Sequence, residues 1–152
     1  MESKNANLAQ LQRIFRLYET MTGGLCERYG FTRTETNVLS FLANNPGLDT
    51  ARDIVEYRAI PKANVSQAVE QLIQKGMLTR RQDTRDRRHI HLELTERAAA
   101  PVQELAQLRE EYKRILYQGF TPEEYALYQS LTDRITDNVN REMERIEAYG
   151  KK

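Results

Sequence analysis

Residues 60–94, IPKANVSQAVEQLIQKGMLTRRQDTRDRRHIHLEL, constrain this chain more than any other stretch. Pro61 suits the first turn of a helix, where a missing amide hydrogen costs nothing. Gly76 is a natural left-handed stop. Between them Val65, Ala68, Val69, Leu72 and Ile73 form one apolar face. Lys62, Asn64, Ser66, Gln67 and Gln71 are left on the other. Past the glycine, residues 77–81 read as a short strand. Residues 88–94 read as its partner, because Ile90, Leu92 and Leu94 alternate with His89, His91 and Glu93. A helix followed by a hairpin with one packed and one wet face cannot stand alone. The rest of the chain must supply its core.

Upstream, Thr32 and Glu35 have capping-box spacing and predict a helix to about residue 43, with Val38, Leu39, Phe41 and Leu42 inward. Asn44-Asn45-Pro46-Gly47 is a turn. Thr50 and Asp53 predict a third helix over 51–58, carrying Ile54 and Val55. Its tight link to the next helix, near Ala59-Ile60, gives the pair the shape of a helix-turn-helix. A first helix is predicted over 8–26 from Leu8, Leu11, Phe15, Tyr18, Met21 and Leu25, with Ile14 and Leu17 widening the stripe. Gly23 and Gly24 either weaken its end or admit a close neighbour, and Gly30 ends the short segment after Cys26. Thr95 predicts a fifth helix to about 118, through Val102, Leu105, Leu108, Tyr112, Ile115 and Leu116. Pro101 lies too deep in it for a first-turn residue and implies a kink or a later start. Thr121-Pro122-Glu123-Glu124 starts a sixth helix toward Tyr149. Its stripe (Tyr125, Tyr128, Leu131, Ile135, Val139, Met143, Ile146) is long enough to need a second subunit as well as this one.

The expected fold class is mainly α (α+β): a winged helix-turn-helix with long N- and C-terminal dimerisation helices. Residues 1–152 form one domain, with 32–94 as the helix-turn-helix and hairpin and with 1–31 and 95–152 as dimerisation helices. The 152 residues carry a net charge of only +1, so a case for nucleic acid rests on where the charges sit. No apolar run approaches the roughly 18–20 residues that cross a bilayer, and the amino terminus lacks the features of a signal peptide. The single cysteine, Cys26, suits a reducing cytoplasm. No glycine-rich phosphate loop, nucleophile elbow or metal-ligand cluster is present, so neither catalysis nor a cofactor nor a metal is expected. His89 and His91 lack the ligands that would complete a metal site, and a place on the wet strand face accounts for them.

Asn and Gln can pair bidentately with adenine in a major groove, and Ser can serve several bases. Asn64, Ser66 and Gln67 occupy the first half of the fourth helix, where helix-turn-helix proteins touch bases. Lys62 and the helix amino terminus suit phosphate. On periodicity alone these residues are equally a solvated face. The hairpin shifts that balance: Arg80, Arg81, Arg85, Arg87 and Arg88 fall within nine residues, offset by Asp83 and Asp86. The arginine fork binds phosphate and fits a narrow minor groove, and an Asp in a short loop braces an arginine or its own backbone.

With these residues assembled, the chain resembles the MarR family of winged helix-turn-helix transcription regulators. The resemblance is carried by NVSQAVEQLIQKGMLTR and by DTRDRRHIHLELTERA, whose Asp83, Arg85 and Arg88 match the family's Asp-x-Arg-x-x-Arg wing. It implies a triangular homodimer, paired through the first, fifth and sixth helices, on pseudo-palindromic double-stranded promoter DNA. Base contacts then fall to Asn64, Ser66 and Gln67, with Lys62 on phosphate. Arg85 and Arg87 form the wing tip, Arg88 braces the wing or touches DNA, and Asp83 and Asp86 are structural. Ser66 and Gln67 stand where the family often has threonine and arginine, which alters the target sequence rather than the docking mode.

Many members are repressors released by a small aromatic or phenolic ligand. The candidate pocket lies between the first, second and fifth helices, with Phe15, Arg16, Tyr18 and Tyr29 as lining. Two alternatives remain at this level: oxidation at Cys26, which lies near Glu27 and Arg28, or a dimeric protein-interaction module that no longer uses DNA.

Overall fold

Two threonines set the helix starts ahead of the hairpin. Thr32 Oγ1 accepts from the Glu35 amide at 3.2 Å while Glu35 Oε2 accepts from the Thr32 amide at 3.2 Å. Thr50 and Asp53 close a second such box. The computed structural model describes residues 6–150. Residues 1–5 and 151–152 of the expected 1–152 domain lie outside the described residues. The order is α1 (Ala6–Tyr29), α2 (Arg33–Asn44), α3 (Ala51–Arg58), α4 (Lys62–Gln74), β1 (Leu78–Gln82), β2 (Ile90–Leu94), a 3-10 turn (Glu96–Ala98), α5 (Ala99–Leu116) and α6 (Pro122–Gly150).

The predicted α1 is too short. The helix runs through Gly23 and Gly24 to Tyr29, and a side chain at either glycine would meet nothing within 4 Å. Each glycine costs about 1 kcal/mol in a helix interior, and burial of Thr22 and Leu25 on either side outweighs that. No segment of this chain among the described residues approaches either glycine closely.

The fifth helix takes the later start that Pro101 implied, and only the Thr95 cap is corrected. Thr95 does not cap it: its hydroxyl donates to the Gly76 carbonyl at 2.5 Å, and α5 begins only at Ala99. Pro101 then falls in the first turn, where proline is tolerated. Gly76, at φ +75°, closes α4 with Met77 N–H bonded to Leu72 O and its own N–H to Ile73 O. The strands are antiparallel, pairing Leu78 with Leu94 and Arg80 with Leu92. The second is two residues shorter than the alternation implies.

The chain divides into two compact units, one through Tyr112 and one from Lys113. In the first, Val65, Val69 and Leu72 of α4 are buried with Val38, Leu39 and Phe41 of α2 and Ile54 of α3. Leu25, Leu78, Leu92 and Leu105 extend the same core. β2 is tied to the segment ahead of α3: Leu92 N–H donates to Asp49 O at 2.7 Å, and Thr50 forms an isolated bridge with His91.

In the second unit a capping box at Thr121 and Glu124 starts α6. Tyr117, Tyr125 and Tyr128 pack ring to ring at the turn. No residue of α6 is buried; Leu131, Ile135, Val139, Met143 and Ile146 are 46–63% exposed.

Candidate nucleic-acid interface

α4 buries one face, so its polar residues are held outward. Lys62, Asn64, Ser66 and Gln67 are all exposed. Asn64 and Gln67 share a shallow concavity with Thr32, Thr34 and Gln71, whereas Lys62 and Ser66 face Arg52 and Glu56 of α3. Thr32, Thr34 and Arg52 thus adjoin the exposed polar face of α4. Their proximity to α4 was not legible in the sequence, where Thr32 served only as the cap of α2, because all three lie on other segments. Arg52 is itself held by Glu56 at 2.8 Å.

The hairpin arginines separate into two groups. Arg80 pairs with Glu70 of α4 at 2.7 Å, Arg81 with Glu93 across the ladder at 2.5 Å, and Arg88 with Asp86 at 3.2 Å. Among the described residues, Arg85 and Arg87 make no ion pair, and both are exposed. The two aspartates build the loop that presents them. Asp83 Oδ1 accepts from the amides of Arg85 at 2.7 Å and Asp86 at 2.9 Å. Asp86 Oδ1 accepts from the Arg88 amide at 3.0 Å. The Asp86 amide, the His91 ring and the Arg85 amide hold the Asp83 carboxyl far below the usual carboxylate range. The Arg88 amide and guanidinium lower Asp86 likewise.

His91 is not a wet-face residue. Its side chain is 20% exposed, with Nδ1 2.6 Å from Asp49 Oδ1 and Nε2 2.9 Å from Asp83 Oδ2. The alternation that sends His91 away from Leu92 is real, but the segment ahead of α3 covers that side of the strand. Asp49, then Asp83, raises its pKa above the ordinary 6.5. His89 fits the expectation better, with a half-open side chain and Nε2 3.5 Å from Asp86.

A cavity of about 310 Å3 opens between α1, α2 and the end of α3. Phe15 and Tyr18 line it, with Thr22, Arg33, Asn37 and Arg58. Two expected residues are elsewhere. Arg16 points outward on α1 and is absent from the lining. Tyr29 stacks on Phe31 and donates its hydroxyl to Glu104 at 2.7 Å. The expected contribution of α5 is taken by α3, because the α1–α5 contact is filled by Tyr112 on Tyr18 and by the Tyr112 hydroxyl on Ile14 O. The cations are Arg33, paired with Glu19 at 2.5 Å, and Arg58, which lies over the Phe41 ring.

Cys26 is half-buried, and burial raises its thiol pKa, with the Thr36 hydroxyl and Arg33 opposing. Arg28, a candidate to stabilise a thiolate, pairs with Glu104 instead. That environment favours the protonated thiol over the reactive thiolate.

No helix among the described residues is long and apolar enough to cross a membrane, and none of their His, Cys, Asp and Glu form a group of three or more that could hold a metal ion. Residues 29–89 match the MarR family. The HTH-type transcriptional regulator PetP of Rhodobacter capsulatus is 23% identical over 134 residues, covering 86% of this chain and 80% of that protein. A MarR family regulator from Listeria monocytogenes, solved with 26mer DNA, superposes with a TM-score of 0.80 at 16% identity over 91% of this chain and 90% of that one. BpsR of Bordetella bronchiseptica, whose DNA binding is regulated by 6-hydroxynicotinic acid, superposes with a TM-score of 0.66 at 23% identity over 84% and 96%.

Proposed function

Because the chain belongs to the MarR family of DNA-binding transcriptional regulators, which are not enzymes, we propose that it is a homodimeric cytoplasmic repressor of pseudo-palindromic promoter sites, released by a small aromatic ligand. In this reading α4 enters the major groove, with Asn64, Ser66 and Gln67 on base edges and Lys62 on phosphate. The hairpin is the wing, and Arg85 and Arg87 reach the neighbouring minor groove. Arg88 braces the loop through Asp86. The carrying observation is that Arg85 and Arg87 are exposed without an ion pair among the described residues, whereas the three other wing arginines have carboxylate partners. The exposed apolar positions of α1 (Leu8, Leu11) and α6 support pairing of two copies.

Titration of promoter DNA at several salt concentrations tests the wing. Arg85→Ala and Arg87→Ala are each expected to weaken binding roughly 3- to 30-fold on all sequences and to lower the salt slope by about one. Gln67→Ala changes which bases are preferred more than it changes bulk affinity. Wild-type affinity and slope in both arginine variants would remove the wing from the interface.

The ligand reading rests on the cavity, where the rings of Phe15 and Tyr18 meet the cations Arg33 and Arg58. This suits a flat ring carrying an anion. From a panel of aromatic acids and phenols, at least one acid is expected to raise the melting temperature and weaken DNA binding. In Arg58→Ala both responses should shrink together. A panel without effect on either measurement counts against an aromatic effector.

A further inference from the structure

His91 lies between two carboxylates from distant parts of the chain. Asp49 comes from the α2–α3 connection, 42 residues away, and Asp83 from the wing loop. Each ring nitrogen faces a carboxylate oxygen, at 2.6 and 2.9 Å. An ionised carboxylate only accepts, and a neutral imidazole has one N–H to give. Both contacts are therefore satisfied together only by the imidazolium. The other charge facing the ring is Arg81, its register partner on β1, which is held by Glu93.

The second oxygen of Asp83 links this contact to the wing tip. It accepts the amides of Arg85 and Asp86, so the carboxylate that His91 grips is the one that folds the turn carrying Arg85 and Arg87. Asp49 is anchored in turn through its backbone carbonyl, bonded to Leu92 N–H at 2.7 Å. The ring thus fastens the wing loop to the helix-turn-helix.

We propose that protonated His91 is a positioning residue for DNA binding, holding the wing tip in register with α4 through Asp83 and Asp49, and that loss of its proton releases the wing. This rests on the reading of the wing as a DNA contact. Geometry and the raised pKa of His91 agree on the sign. The brace is complete at and below the ordinary imidazole range near 6.5 and is lost as pH rises through the higher value of the folded protein. Neutralisation leaves a ring lone pair against one carboxylate. The fraction of molecules with a docked wing then falls, and with it the apparent affinity.

The chain has two histidines, so both rings can be followed by nitrogen-detected NMR, with His89→Gln assigning them. In the free wild-type protein His91 is expected to titrate above the ordinary imidazole value of 6.5, with the Arg85 and Asp86 amide signals moving at the same pH. At fixed ionic strength, promoter affinity should fall roughly 3- to 10-fold across that titration. The step should persist in His89→Gln and vanish in His91→Gln, which should be weak throughout. Wing amides that stay still while His91 titrates overturn the proposal, and so does a pH step that survives in His91→Gln. Wild-type affinity in Arg85→Ala and Arg87→Ala overturns the underlying wing reading instead, and the NMR titration separates that failure from failure of the brace.

Discussion

Replacing Ile135 and Val139 together by aspartate should yield a monomer that binds promoter DNA at least about 100-fold more weakly. α6 carries Leu131, Ile135, Val139, Met143 and Ile146 at three- and four-residue steps, all 46–63% exposed. Fully covering one such aliphatic side chain is worth about 1.5–3 kcal/mol. Half-exposed positions contribute correspondingly less each, but several together amount to a stable contact. Two carboxylates in the middle of the stripe would have to be desolvated without partners in any pairing that uses it. DNA binding suffers because two linked modules on two half-sites gain about 100- to 10,000-fold from linkage alone. Sedimentation equilibrium with circular dichroism separates loss of pairing from loss of fold. A variant that remains a dimer would exclude this face from the interface.

Lys75→Met is expected to destabilise the protein by about 3 kcal/mol, lowering the melting temperature by roughly 6–12 °C at fixed protein concentration. Glu35 is fully buried, and Oε2 is held by Lys75 Nζ at 2.6 Å. Its Oε1 is buried without a hydrogen-bond partner. The same ammonium donates to Gly30 O at 2.6 Å and lies 5.5 Å from the centre of the Phe31 ring. One cation therefore ties the end of α1 and the start of α2 to the end of α4. Removing it strands a carboxylate in the core, which costs far more than a surface pair. Adding Glu35→Gln to Lys75→Met should recover part of the loss, because no unpaired charge is then buried. A double variant as unstable as the single one would show that lost packing of the lysine stem, not the stranded charge, sets the cost.

Local sequence was enough to set the helix starts and the exposed polar face of α4. Thr32 with Glu35, Thr50 with Asp53 and Thr121 with Glu124 are capping pairs three residues apart, closed by bonds that need no distant partner. The apolar spacing of α4 settled which of its side chains turn inward, and so left Asn64, Ser66 and Gln67 outside. The Asp83 turn was legible for the same reason, since its bonds reach only two and three residues ahead.

Which charges are occupied depended on packing between distant segments. Nothing local told Arg80, held by Glu70, from Arg85, held by no carboxylate among the described residues. His91 meets Asp49 across 42 residues, Lys75 meets Glu35 across 40 and Tyr29 meets Glu104 across 75. Tyr29 was thereby drawn away from the cavity it was expected to line, and Arg33 and Arg58 were brought to it. Periodicity says which face of an element is covered. It carries no information about what covers it, because that depends on how separate elements pack.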